Sequence, residues 1–190
     1  MIEKLSKVLA ARAVSHIHNP DLVVSAVLVP IFLKDGEYNL LFIQRTDRVR
    51  EHKRQISFPG GAYEESDKSL LITALREAQE EVGISPKDVT VLGELDDMPT
   101  AATNYLISPW VGLIPYPYQF ELDKWETEEL LEVPISTLLD SKNCFSEGSM
   151  IVNEREMVSY FYRYQNRLIW GATARIMKQL LEIIVSLQEY

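Results

Sequence analysis

Arg76-Glu77-Ala78-Gln79-Glu80-Glu81-Val82-Gly83-Ile84 is the stretch on which the reading of the chain turns. Successive residues of a helix are about 100° apart, so Glu77, Glu80 and Glu81 fall within roughly 100° of one another. Leu71, Leu75, Ala78 and Val82 form an apolar stripe on nearly the opposite side. The spacing predicts an amphipathic helix over residues 69–82, stopped by Gly83 and then Pro86. Glu77 and Glu81 stand at i and i+4, where like charges cost about a few tenths of a kcal/mol. A solvated helix would more comfortably pair one of them with Lys. A divalent cation would remove the repulsion, since Mg²⁺ favours carboxylate oxygens and keeps water and substrate phosphate in its shell. An acidic triplet alone is most simply a solvated face. Here it follows Phe58-Pro59-Gly60-Gly61, whose glycines permit close backbone approach, so the Gly60 carbonyl is a candidate metal ligand. Arg76 precedes the first glutamate and is placed to hold its carboxylate.

The elements around this helix alternate irregularly. Residues 2–14 have a helical pattern, with Leu5, Val8, Leu9 and Ala13 on one side. Residues 22–33 read as a buried strand, Asp35-Gly36 as a turn, and Tyr38 to Arg45 as the returning strand of a hairpin. Val89 to Leu95 and Ile107 to Ile114 are further strands, and Pro134 to Leu139 a short helix. Residues 156–163 and 167–170 form a hairpin around Gln165-Asn166, and Gly171 opens a last amphipathic helix to about residue 188. Without a regular βαβ alternation, the class is α/β of the α+β kind: a mixed sheet with helices packed on it.

Composition narrows the chemistry. The 190 residues carry 19 Lys and Arg against 28 Asp and Glu, a net charge of −9, with 46% hydrophobic residues. One domain spanning 1–190, with a core at about 22–175, is expected, and disorder is excluded. The acidity argues against nucleic acid or an anionic membrane as partner. The apolar run Leu22 to Leu33 is too short to cross a bilayer. Cys144 is the only cysteine, so no intramolecular disulfide can form; with no signal-peptide pattern at Met1 to Leu5, a cytoplasmic location is expected. The loop 45–54 runs against the average. It holds Arg45, Arg48, Arg50, Lys53 and Arg54 against Asp47 and Glu51, a local net charge of +3. Arginine suits phosphate because its planar fork makes paired hydrogen bonds. His52, in the same loop, reads as an exposed residue, and His16 and His18 as surface residues of a connecting segment. Trp110, Trp125 and Trp170 read as packing residues.

The acidic helix and its glycine loop resemble the Nudix hydrolase box, G-x5-E-x7-R-E-U-x-E-E-x-G-U, where U is a bulky apolar residue. Arg76, Glu77, Ala78, Glu80, Glu81, Gly83 and Ile84 match its second half. Counted from Gly61, the first acidic position is Asp67, and eight residues separate it from Arg76. The coenzyme A pyrophosphatase branch has a similar Asp and extra residue. That branch also carries L-L-T-x-R-[SA]-x3-R-x3-G-x3-F-P-G-G. Arg45, Arg50 and Phe58-Pro59-Gly60-Gly61 stand at the right spacing, while Phe42 and Ile43 replace Leu and Thr and Thr46 replaces Ser or Ala. Arg54 stands where the pattern has glycine; if that position requires positive φ, arginine fits it poorly.

The resemblance implies a Nudix-type α/β/α sandwich and metal-dependent hydrolysis of a nucleoside diphosphate derivative. Glu77, Glu80 and Glu81 are then the metal ligands, with the Gly60 carbonyl a further candidate and Mg²⁺ or Mn²⁺ the cation. Arg76 orients Glu77. Arg45 and Arg50, with Gly60 and Gly61, are the substrate-binding candidates. The expected substrate is coenzyme A or an acyl-coenzyme A, cleaved to adenosine 3′,5′-bisphosphate and 4′-phosphopantetheine. ADP-ribose, dinucleotides and nucleotide sugars are the alternatives within the family; a non-catalytic nucleotide-binding module ranks lower because all three glutamates are present. A homodimer is expected from the resemblance alone.

Overall fold

The computed structural model describes residues 1–48, 53–100, 103–152 and 155–187, and the side chains of these except in 145–152 and 155–158. The chain opens with helix α1 (Ile2–Ala11), which buries Leu5 and Leu9. Strands β1 (Val23–Lys34) and β2 (Glu37–Arg45) form the expected hairpin. Asp35 and Gly36 both take positive φ, 51° and 82°, as a two-residue turn matched to strand twist requires. Short strands β3 (Ile56–Ser57) and β4 (Gly60–Ala62) lead into α2 (Leu70–Val82). Then come β5 (Thr90–Glu94), β6 (Met98–Pro99), β7 (Tyr105–Leu113), β8 (Thr127–Pro134) and the short α3 (Ile135–Leu139). Strands β9 (Cys144–Val152), β10 (Arg155–Tyr164) and β11 (Arg167–Trp170) precede α4 (Gly171–Ser186).

Eight strands make one mixed sheet, in the order β3-β2-β1-β7-β5, with β4 also on β1, β6 on β7 and β8 on β2. The β1–β7 pairing is parallel and the others in this sheet are antiparallel. Strands β9 to β11 form a separate antiparallel sheet. Side chains of a strand alternate between faces, and β1 and β2 bury both. Ala26, Leu28 and Phe32 of β1 and Leu41 and Ile43 of β2 pack with Ala74, Leu75, Ala78 and Val82 of α2. Val29, Ile31, Leu40 and Phe42 point the other way, toward Leu5 and Leu9 of α1 and Ile176, Met177 and Leu180 of α4. Helix, sheet and helix thus form three layers, and burial on both faces is why residues 22–33 read as one continuous apolar run.

Helix α2 begins at the N-cap Ser69, whose hydroxyl accepts from the Ile72 N–H. It ends at Gly83, whose φ of 74° is the left-handed conformation that costs an L side chain energy. The expected elements are present with shifted ends: α1 stops at Ala11 and α4 at Ser186. Strand β9 was not predicted, and neither was β8. Strand β8 buries Thr127, Leu131 and Val133, but Glu128, Glu129 and Glu132 obscure its alternation in sequence. Lys34 pairs with Glu132 at 2.6 Å and Arg167 pairs with Glu129, so two of these acids are matched only in three dimensions.

A carboxylate cluster on helix α2

Packing of the Ala74, Leu75, Ala78 and Val82 stripe on β1 and β2 fixes the rotation of α2. The residues between these positions, Arg76, Glu77, Glu80 and Glu81, are therefore presented to the loops that lead into and out of the neighbouring strands. Two arginines organise them.

Arg76 is the first hub. Its Nε and Nη2 donate to the two oxygens of Asp67 at 3.1 and 3.0 Å, a forked pair. Nη1 donates to Glu77 Oε1 at 2.9 Å and to Glu80 Oε2 at 3.1 Å, and Nη2 also reaches the Ala62 carbonyl. Asp67 is buried and accepts further bonds from the Thr73 hydroxyl and the Glu64 N–H. The Arg76 guanidinium holds the Asp67 carboxyl well below its ordinary range, at about 2. Arg76 thus ties the loop after β4 to the helix and aims Glu77.

Glu81 is the second hub and is only 2% exposed. Its Oε1 accepts from Arg45 Nη1 and its Oε2 from the Gly60 N–H, both at 2.9 Å. Arg45 Nη2 donates to Glu126 Oε2 at 3.2 Å, which draws a fourth glutamate to the same place. Burial pushes the Glu81 carboxyl up to about 7 despite Arg45 and the Gly60 N–H, with Glu77 and Glu126 adding to the rise. Burial raises Glu77 as well, against the pull of Arg76.

The glycines serve close approach. A Cβ on Gly61 would lie 2.4 Å from Glu77 Oε1, and one on Gly60 would lie 2.4 Å from the Ala26 carbonyl oxygen. Strand β4 bonds to β1 through the Pro59 carbonyl and the Tyr63 N–H. By strand alternation the carbonyls of Gly60 and Ala62 face away from β1, and Arg76 takes that of Ala62. The Gly60 carbonyl lies on that same edge.

Among the described residues six carboxylates, Glu64, Asp67, Glu77, Glu80, Glu81 and Glu126, are thus gathered around two guanidinium groups. The excess negative charge, the desolvation of Glu77 and Glu81 and the hard oxygen donors fit a divalent cation. Glu77, Glu80 and Glu81 could hold it, with Glu126 within reach of the same group through Arg45.

The predicted site residues fall into three groups. Glu77, Glu80, Glu81, Arg76, Gly60 and Gly61 are brought together. Arg45 joins them, but its fork is engaged by Glu81 and Glu126, and its Nε is buried without a partner. Arg50 and His52 lie outside the described residues. Arg54 takes φ 58°, so the chain adopts the left-handed backbone without glycine; its side chain is 70% exposed and lies 3.8 Å from Asp47. His16 is half-exposed, yet its Nδ1 lies 3.6 Å from Asp97 and 3.9 Å from Glu94, in a group built without α2. The three tryptophans are not alike. Trp110 packs against the core beneath α2, whereas Trp125 is 62% and Trp170 44% exposed, so neither is the packing residue its sequence context suggests. Glu126 was missed. It lies outside any motif and just before β8, a strand the sequence did not reveal.

The NUDIX domain family matches residues 22–143, nearly two thirds of the chain. An uncharacterized Nudix hydrolase NudL of Photorhabdus laumondii is 39% identical over 158 residues, 83% of each chain. A Yersinia pestis protein of the same description is 38% identical over 163 residues, 83% of this chain and 78% of its own. Among solved structures, a Caenorhabditis elegans Ap4A hydrolase in a binary complex superposes with a TM-score of 0.56 at 15% identity, over 88% of this chain and 98% of its own. A MutT/nudix family protein from Enterococcus faecalis gives 0.58 at 12% identity, over 98% and 70%. These likenesses show a shared fold. The matched region contains β1, the glycine strand β4 and the whole of α2, and with relatives this similar over most of their length the chain belongs to the Nudix hydrolase family.

Proposed function

We propose that the chain hydrolyses the pyrophosphate bond of coenzyme A or an acyl-coenzyme A, giving adenosine 3′,5′-bisphosphate and 4′-phosphopantetheine or its acyl form. The observation that carries the choice of substrate is the backbone of Arg54. The coenzyme A pattern has glycine there, and Arg54 takes φ 58°, a conformation glycine adopts without strain. At this one position the chain thus takes a backbone that suits the glycine of the pattern, which supports the coenzyme A reading.

Bound Mg²⁺ or Mn²⁺ would neutralise the pyrophosphate and make a coordinated water a better nucleophile. The residues do the rest. Glu77, Glu80 and Glu81 would hold the cation, and Arg76 fixes the Glu77 carboxylate so that it does not have to be ordered at each turnover. In the metal-free site burial raises Glu81 toward neutrality, and it would have to give up its proton to hold the cation. Arg45, whose Nη1 donates to Glu81, would meet a substrate phosphate beside the carboxylates. Arg50 is assigned the same role from its place in the pattern.

The test is a substrate panel. The purified protein is incubated with Mg²⁺ or Mn²⁺ and coenzyme A, acetyl-coenzyme A, ADP-ribose or NADH, and products are identified by mass. Cleavage of the coenzyme A species to the two products named is expected. Turnover of ADP-ribose with none of the coenzyme A species would overturn the assignment.

A further inference from the structure

Glu94 ends β5 and Asp97 stands just before β6, and neither belongs to the α2 cluster. Both side chains are largely withdrawn from water, at 17% and 7% exposed. Carboxylates so placed call for a cation, yet among the described residues neither pairs with Lys or Arg. Arg12, which reaches this turn, gives Nη1 to the Glu94 carbonyl and Nη2 to Asp96 Oδ1. What faces the two carboxylates is the half-exposed imidazole of His16. Its Nδ1 lies 3.9 Å from Glu94 Oε1 and 3.6 Å from Asp97 Oδ2.

Those gaps are too long for hydrogen bonds, and they suit a small ion held between the three groups. Imidazole nitrogen and carboxylate oxygen bind Zn²⁺ at about 2.0–2.2 Å, which sets two ligands of a tetrahedral ion roughly 3.3–3.6 Å apart. One ligand atom from each residue already lies within 4.8 Å of the others. A second, independent observation points to an ion. Asp97 Oδ1 is buried and, among the described residues, accepts no hydrogen bond. A buried carboxylate oxygen without a donor is costly unless something meets it, and a cation seated against this carboxyl does so. The backbone holds the three groups in place. The Asp97 N–H donates to the Ser15 carbonyl at 3.0 Å, the Ile17 N–H to Asp97 Oδ2 at 2.8 Å and the Ser15 N–H to Asp96 Oδ1 at 2.9 Å. The residues on either side of His16 are therefore tied to the β5–β6 turn. The Ser108 hydroxyl donates to Glu94 Oε1 at 2.9 Å and orients that carboxylate from behind.

We propose that His16, Glu94 and Asp97 form a second metal site, sharing no residue with the α2 cluster, that takes a borderline divalent ion such as Zn²⁺. The imidazole favours such an ion over Mg²⁺, which the all-oxygen cluster on α2 suits better. Two carboxylates and a neutral imidazole balance its charge. The ion clips the segment between α1 and β1 to the β5–β6 turn, and the exposed side of the imidazole leaves a coordination position to water. The proposal does not rest on the substrate assigned above.

The test titrates Zn²⁺ by calorimetry into the full chain, stripped with EDTA and dialysed into excess Mg²⁺ to occupy the α2 carboxylates. Long-range ¹H–¹⁵N spectra follow the imidazole nitrogens. Wild type should bind Zn²⁺ with a shift of the His16 Nδ1 resonance, and Zn²⁺ should raise its Tm. His16→Ala, a change at a half-exposed side chain, should weaken binding by at least about 10-fold and abolish the Tm rise. Asp97→Asn keeps an acceptor for the Ile17 N–H and should weaken binding as much. Glu81→Gln should leave it within about 2-fold of wild type, as expected of independent sites. Absence of Zn²⁺ binding in wild type would overturn the proposal. So would Zn²⁺ binding that His16→Ala leaves unchanged, which would place the ion on His18, His52 or the α2 carboxylates. Equal weakening in Glu81→Gln and His16→Ala would overturn it as well, because the site would then not be separate.

Discussion

Replacing Glu81 by Gln should make the metal-free protein more stable at alkaline pH. Glu81 is 2% exposed and, through burial, holds its proton up to about pH 7, against an ordinary value of 4.5. A carboxyl with a raised folded pKa binds more protons folded than unfolded across that window. Stability is therefore greatest for this group below about pH 4.5 and falls as pH rises toward 7. The loss levels off above about pH 7 at roughly 3 kcal/mol. Gln retains the shape and cannot ionise, so the variant avoids it. The gain should be about 3 kcal/mol at pH 8 and under about 1 kcal/mol at pH 5. For a chain of this size that is a Tm difference of about 6–12 °C at pH 8. Urea denaturation in EDTA, run from pH 5 to 8 on both proteins, measures it. A variant less stable than wild type at pH 8, or a difference that does not change with pH, would show that Arg45 and the Gly60 N–H fully compensate the buried charge.

Arg54→Gly should stabilise by about 0.5–1 kcal/mol by denaturant midpoint, because it removes a left-handed arginine; the exposed Asp47 contact it gives up is worth little. Destabilisation would mean that the arginine side chain holds the loop. Asp67→Asn should cost roughly 2–4 kcal/mol by breaking the fork with Arg76. The contribution of Asp67, with its pKa depressed to about 2, is present above about pH 4 and lost on acidification, so the variant should differ less from wild type at pH 2 than at pH 7. Arg76→Lys keeps the charge but loses the fork, and kcat should fall about 10- to 100-fold with the circular dichroism spectrum unchanged. Unchanged kcat would leave Arg76 a purely structural residue.

Much of this site is legible along the chain because its geometry is local. Glu77, Glu80 and Glu81 share a helix face by periodicity alone, and Gly60-Gly61 lie just upstream. Asp67 and Arg76 are nine residues apart and meet within one loop-helix unit. What was not legible depends on distant pairing. Glu126 comes to the cluster only because its segment bonds to Thr46 and to the end of α2. Strand β8 shows as a strand only once Lys34 and Arg167 neutralise its acids. Trp125 carries no sign in sequence that separates it from the packed Trp110. In the other direction, the basic loop suggests free arginines, yet Arg45 is already occupied by two carboxylates.

The most direct measurement is Mn²⁺ binding, followed by the electron paramagnetic resonance of the free ion, alongside coenzyme A turnover in wild type, Glu77→Gln and Glu81→Gln. Wild type should bind Mn²⁺ and turn over. Both variants should bind it more weakly, and Glu81→Gln should lose turnover by orders of magnitude while remaining folded. Near-normal Mn²⁺ affinity and activity in Glu81→Gln would remove the helix carboxylates from the chemistry.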